Sequence, residues 1–375
     1  MIVGIPRETA SGEKRVSLVP DGIQKLGQVI IETGAGEGSL FPDSMYSSKG
    51  ATIESEVYSR ADIILKVQPP SLDEVEKLRE GSTIISFLYP ASNIDIVKKL
   101  AAKKVTSFAM DLMPRISRAQ SMDALSSQAT VSGYKAVLLA SDSLPKLFPM
   151  LMTAAGTIPP AHVFVIGAGV AGLQAIAVSH RLGAVVEAYD VRPVVKEQIQ
   201  SLGAKFVELE IKAQDAQTSG GYAKAQSEDF YKRQQELLAE HARTSDVVIT
   251  TALVPGQRAP ILLSEEAVKG MKPMSVIVDL AAEQGGNCAL TEPGKTVIKY
   301  GVTIHGLLNL PSMMSPQASQ LYSRNITTFL LTMIKENKLN IDPKDDLIKG
   351  TLVTQGGEIV HDIAKKAIGA KTQNV

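Results

Sequence analysis

The chain has 375 residues, 39 Lys and Arg against 39 Asp and Glu, 44% hydrophobic residues and one cysteine. That length exceeds one ordinary core and predicts two domains, while the balanced charge excludes a polybasic face for nucleic acid or an anionic membrane. The lone Cys288 excludes a disulfide framework and suits a reducing cytoplasm, and the five histidines, at 162, 180, 241, 305 and 361, lack metal-ligand spacing.

The start, M-I-V-G-I-P-R-E, enters a strand at residues 2–5 without the basic and apolar regions of a secretory signal. A polar loop with Glu13, Lys14 and Arg15 leads into V-S-L-V-P, a helix pattern (Gly22, Ile23, Leu26) and a strand at 29–31. Strands are predicted at 63–68, 83–87 and 105–108, and a helix at 94–102 capped by Asn93. Strands separated by helical patterns imply a mostly parallel, doubly wound sheet. The first α/β domain is therefore placed at residues 1–125. Residues 122–140 have apolar positions at three-to-four spacing, predicting a long helix into a second domain at 126–310.

The second domain is organised around V-F-V-I-G-A-G-V-A-G at 163–172. Four apolar residues form a buried strand, and a glycine turn then opens a helix through Leu173, Ile176 and Val178. Gly167 permits the tight turn, Gly169 lets a phosphate approach bare backbone, and Gly172 lets helix and strand pack closely. The N–H groups of Ala168, Val170 and the helix start face a pyrophosphate. Asp190 follows at the end of a second apolar strand, placed to accept hydrogen bonds from ribose hydroxyls, so NAD is favoured over NADP. Arg192 is read either as a partner for a 2′-phosphate, which Asp190 would repel, or as a solvated loop residue before Pro193.

Further strands are expected at 247–250, 275–279 and 302–304, with Ser264 capping a helix that buries Ala267 and Val268. The polar stretch centred on Gly220, Gly221 and Tyr222 is long enough for a flap closing on a ligand, or for a surface insertion. After residue 311 a helical pattern (Ala318, Leu321, Ile326, Phe329, Leu330, Ile334) returns. It is expected not to extend a sheet but to cross back and complete the first domain with residues 311–375. The fold class is thus α/β, two doubly wound Rossmann-like domains with a nucleotide cleft between them.

R-V-S-L-V-P, I-L-K-V, P-R-I-S-R-A-Q-S-M-D-A-L-S-S, the glycine turn, Y-D-V-R-P and V-I-V-D-L-A-A-E-Q-G-G-N together resemble the family of alanine dehydrogenase and proton-translocating NAD(P) transhydrogenase over nearly the whole chain. In the alanine dehydrogenase branch an Arg and a Lys hold an oxo acid, a His moves a proton and an Asp lies near the nicotinamide. Arg15, Lys66 and Asp279 stand at matching positions, but Tyr89 replaces the His. A phenol, with an unperturbed pKa near ~10, is a poor proton shuttle at neutral pH.

The segment at 114–127 resembles the transhydrogenase branch, in which an Arg, a Gln, an Asp and a Ser contact the nicotinamide end of the nucleotide. The resemblance implies that Arg115, Gln120, Asp123 and Ser126 do so here, Arg115, Gln120 and Asp123 serving hydride transfer. It likewise implies a mobile loop at Tyr222 and an NAD(H) site including Asp279.

By this resemblance the chain is the NAD(H)-binding domain I, or alpha subunit, of a Re/Si-specific proton-translocating transhydrogenase. Hydride would pass directly to NADP(H) on a partner domain, with a membrane-spanning subunit carrying protons. A homodimer, cytoplasmic and peripheral to the inner membrane, is expected, with no nucleic acid as partner. The tail after Ile363 is short and polar, so no membrane helices are expected to follow, whether the chain is a separate subunit or was cut from a longer one. The alternatives are an alanine-type amino-acid dehydrogenase and a non-catalytic NAD-sensing module.

Overall fold

In the computed structural model the strand Ile2–Ile5 lies inside a sheet of eight, between Gln28–Glu32 and Ile63–Leu65. The structure describes residues 1–209, 228–253, 258–336 and 338–372, with 228 and 370–372 described by backbone alone. Two units are present, one of residues 1–128 with 311–375 and one of residues 129–310. The helix Ala124–Ser143 runs through the boundary.

In the first unit Thr52–Glu54, Thr83–Ser86 and Thr106–Ala109 continue the parallel pairing on either side of the central strands. Both faces are covered, so the strands read as unbroken apolar runs rather than alternating ones. Val3 and Ile5 pack on one face with Phe108, Tyr322, Ile326 and Phe329, whereas Ile64, Ile84 and Val97 fill the other. The helix Ser315–Met333 supplies the apolar side chains of the first face, and its Ser319 and Ser323 hydroxyls accept the Val16 and Val19 N–H groups at 3.0 and 3.1 Å.

Three sequence expectations change here. The C-terminal segment does extend the sheet: Leu352–Gln355 pairs antiparallel with Thr106–Ala109, and Glu358–Ile359 closes the edge. Thr354 secures this edge, its hydroxyl 2.7 Å from both the Val105 carbonyl and the Ser107 hydroxyl. Asn93 precedes the helix Ile94–Ala102 but makes no side-chain cap; its Nδ2 donates instead to the Leu88 carbonyl at 2.8 Å. The pattern at Gly22 to Leu26 is a 3-10 helix, Pro20–Lys25.

The second unit has a seven-stranded sheet in the order Lys205–Phe206, Val185–Tyr189, His162–Ile166, Val247–Thr250, Val276–Asp279, Val302–His305 and Thr296–Lys299. Only the last strand is antiparallel. Val163 and Val165 face one apolar cluster, Phe164 and Ile166 the other. The chain winds outward in both directions from His162–Ile166, which is the topological switch point, and ligands of open α/β sheets bind beyond the carboxyl ends of such strands. The helix Glu265–Lys269 starts as expected, the Ser264 hydroxyl accepting the Ala267 N–H at 3.2 Å. Among the described residues no helix is long and apolar enough to cross a membrane.

Candidate functional site

Gly167 has φ +97°, and its N–H donates to the Tyr189 carbonyl at 2.8 Å, so the turn is fixed to the neighbouring strand. The Thr251 hydroxyl donates to the Gly167 carbonyl at 2.9 Å. A β-carbon on Gly172 would lie 1.8 Å from that carbonyl oxygen, so only glycine fits. Gly169 is different: a β-carbon there would meet nothing within 4 Å, leaving open space where the helix Val170–Arg181 begins. Glycine cannot supply a side-chain cap, and the first N–H groups of a helix have no intrahelical acceptor. The arrangement fits a phosphate group. Val170 is exposed and Ala168 buried beside the turn.

Asp190 ends the strand Val185–Tyr189 and turns back onto the glycine turn. Its Oδ2 accepts the Ala168 N–H at 2.7 Å and Arg192 Nη2 at 2.8 Å, and its Oδ1 accepts Arg192 N at 2.9 Å and Nε at 2.8 Å. Arg192 is therefore not a solvated loop residue. Its guanidinium grips the carboxylate two residues before it, and those hydrogen bonds, against partial burial, raise its pKa.

Asp279 is almost fully buried at the end of its strand. Oδ1 accepts the Thr250 hydroxyl at 2.9 Å and the Ala281 N–H at 3.0 Å; Oδ2 accepts the Asn287 and Cys288 N–H groups at 2.8 and 3.1 Å and the Thr291 hydroxyl at 2.7 Å. Five donors on one carboxylate make it the anchor of the following loop. Asn287 extends that anchor, donating to the Ala252 and Pro260 carbonyls at 2.9 Å and accepting the Ala252 N–H at 2.9 Å. Sequence reasoning gave Asn287 and Thr251 no role, although Asn287 ends the quoted motif V-I-V-D-L-A-A-E-Q-G-G-N.

In the first unit Arg115 and Gln120 are exposed, Gln120 within the 3-10 helix Ser117–Met122. Asp123 caps the helix Ala124–Ser143, accepting the Ser126 N–H at 2.9 Å and the Ser126 hydroxyl at 2.6 Å. Asn325 braces the same segment, donating to the Ser121 carbonyl at 2.8 Å and accepting the Ser127 hydroxyl at 2.7 Å. Arg118 pairs with Asp345. The segment is thus held from behind while Arg115 and Gln120 face outward. Tyr222 and the stretch around it lie outside the described residues.

Arg15 and Lys66 are buried in a network of carboxylates within the first unit. Arg15 Nε and Nη2 donate to Glu13 at 2.8 and 2.6 Å, and Nη1 donates to Gln128 at 2.9 Å. Lys66 Nζ lies 3.0 Å from Glu74 and 3.3 Å from Glu8. Glu74 also accepts the Tyr58 hydroxyl at 2.7 Å and completes a capping box with Ser71. Three carboxylates thus face two cations, and burial raises the Glu8 carboxyl against the pull of Lys66. Tyr89 is exposed at φ +44°, its N–H and that of Leu88 held by the Asp111 carboxylate, its ring stacked 5.7 Å from Phe87.

Glu13 makes this network pH-sensitive. Burial alone would raise its carboxyl, but the hydrogen bonds and charge of Arg15, with Gln68, hold it at about 2 instead of 4.5. A depressed carboxyl contributes stability above its unfolded pKa that disappears as pH falls through the folded one. That difference corresponds to about 3 kcal/mol. Acid titration of stability between pH 4.5 and about 2 is therefore expected to show a steep limb. Glu13→Gln should flatten it; an unchanged limb in that variant would refute the assignment.

A parallel sheet whose switch-point strand ends in a glycine turn, with an acid closing the next strand, defines the dinucleotide-binding class of α/β proteins. The chain belongs to the alanine dehydrogenase/transhydrogenase family: residues 4–132 match the model of "Alanine dehydrogenase/PNT, N-terminal domain" and residues 136–362 that of the C-terminal domain. It is 47% identical to the first of the separate chains that make up the NAD(P) transhydrogenase subunit alpha of Rhodospirillum rubrum, over 96% of this chain and 98% of that one. Identity to the alanine dehydrogenase 2 of Staphylococcus aureus is 31%, over 87% and 85%. The crystal structure of transhydrogenase from Sinorhizobium meliloti superposes with a TM-score of 0.88 at 45% identity, covering 96% of this chain and all of that one. Similarity falls on the transhydrogenase side of the family.

Proposed function

We propose that this chain is the NAD(H)-binding component of a proton-translocating transhydrogenase and passes hydride directly to NADP(H) on a partner domain, with Re/Si stereochemistry. The carrying observation is the glycine turn closed by Asp190, taken with 47% identity to a transhydrogenase alpha subunit. Bound nicotinamide supplies the hydride chemistry. Gly167, Ala168, Gly169, Val170 and Gly172 would receive the pyrophosphate, Asp190 the ribose hydroxyls, and Arg115, Gln120 and Ser126 the nicotinamide end, with Tyr222 closing over it. Asp123 would orient Ser126, and Asp279 would act through the loop it anchors.

Hydride transfer between two nicotinamides requires alignment and exclusion of water, not an acid or base. Tyr89 at the position of the alanine-branch His agrees with that requirement. Gln120→Asn shortens an exposed amide by one methylene without touching the core. It is expected to lower transfer by roughly 10²-fold with NADH affinity nearly intact; affinity lost in proportion to transfer would contradict a role in alignment.

The second subunit of a homodimer would cover the hairpin of Leu151–Thr153 and Gly156–Ile158, a separate two-stranded sheet with Met152 73% exposed and Met150, Leu151 and Ile158 also open to solvent. Met152→Lys is expected to shift sedimentation from dimer toward monomer; an unshifted dimer would place the interface elsewhere. The membrane-spanning and NADP-binding subunits would make the complex peripheral to the cytoplasmic face of the inner membrane.

A further inference from the structure

Asp190 is the acid that the nucleotide reading assigns to the ribose, yet it already has partners for its whole capacity. An ionised carboxylate offers about four acceptor positions. Oδ1 takes the Arg192 N–H and Nε, and Oδ2 takes the Ala168 N–H and Arg192 Nη2. Two of these donors are backbone groups fixed by the turn, and the other two belong to one side chain. The Arg192 side chain is only 16% exposed, that of Asp190 6%. A ribose with two free hydroxyls needs two acceptor positions at this carboxylate. Of the four occupied ones, only those of the guanidinium can be released without unmaking the glycine turn.

We infer that Arg192 is a latch on Asp190 that selects the nucleotide: a 2′,3′-diol displaces its guanidinium from the carboxylate. A 2′-phosphate cannot, because it brings no donor to open the latch and is repelled by Asp190. The same geometry gives the converse. If Asp190 loses its charge, Arg192 is released beside the ribose position and becomes a partner for a 2′-phosphate, so one residue opposes NADP binding while paired and favours it once unpaired. This rests on the reading of residues 163–192 as the nucleotide site.

The test is calorimetric titration of the full chain with NADH and, separately, with NADPH. Arg192→Ala removes the competing donor and should bind NADH about fivefold more tightly, the scale of a partly exposed ion pair. Asp190→Asn keeps an oxygen for the Ala168 N–H, so the turn is retained. It should bind NADH more weakly and NADPH at least about tenfold more tightly than the unaltered chain, as a new charge-assisted phosphate contact would. In the double variant the gain for NADPH should vanish. Weaker NADH binding by Arg192→Ala, no NADPH gain in Asp190→Asn, or a gain that survives in the double variant would each overturn the latch and leave the nucleotide site standing. Failure of the unaltered chain to bind NADH would overturn the site itself.

Discussion

Replacing Lys66 with alanine is expected to destabilise the chain by roughly 3–5 kcal/mol, the cost of leaving buried charge uncompensated. Lys66 is 1% exposed and sits between Glu8 and Glu74 immediately after the strand Ile63–Leu65. Neither carboxylate can follow the change: Glu8 is held by the Val67 and Gln68 N–H groups and Glu74 by Tyr58 and Ser71. Without the ammonium, one carboxylate must take up a proton or the segment must open to water. Chemical denaturation at pH 7 measures the loss, and Lys66→Ala combined with Glu8→Gln should recover some of it. A loss below about 1 kcal/mol would mean the pair behaves as a surface ion pair.

The second large effect is at the glycine turn, where two glycines have different jobs. Gly172→Ala forces a β-carbon against the Gly167 carbonyl, which cannot yield because Gly167 is tied to both Tyr189 and Thr251. Overpacking of this kind costs about 1–3 kcal/mol, and the displaced turn should lower NADH affinity by about 10²-fold or more. Gly169→Ala points its methyl into open space at an extended backbone that any residue adopts. It should leave stability within about 0.5 kcal/mol while weakening NADH binding, because the methyl stands where the phosphate approaches. Thermal unfolding and titration together check the pair; equal destabilisation by both variants would contradict this division of roles.

The contrast between these glycines marks what sequence could and could not convey. Spacing alone placed the turn, its strand and its helix, because a run buried on both faces reads as continuous apolar sequence and the turn requires φ values only glycine holds freely. Asp190 was legible as an acid at a set distance, but its grip by Arg192 was not, because a contact between side chains two residues apart depends on how the loop turns after Asp190. The C-terminal edge strand was missed for a related reason: Leu352–Gln355 is short, and only pairing with Thr106–Ala109 makes it a strand. In the site of the first unit Arg115, Gln120, Asp123 and Ser126 came from family resemblance. Asn325, which holds their segment in place, is some 200 positions away in the chain and carries no local signal. Arg15 and Lys66 were open to a catalytic or a structural reading; the carboxylates around them make them partners within a buried network.

The most direct measurement is reconstitution of the full chain with an NADP-binding partner domain, followed by hydride exchange between NADH deuterated at C4 and an NADP⁺ analogue. The account predicts that each NADH oxidised reduces one analogue, with the deuteride transferred as a unit and none lost to water. No exchange with both nucleotides bound, or rapid NADH oxidation by pyruvate and ammonia without any partner, would contradict it.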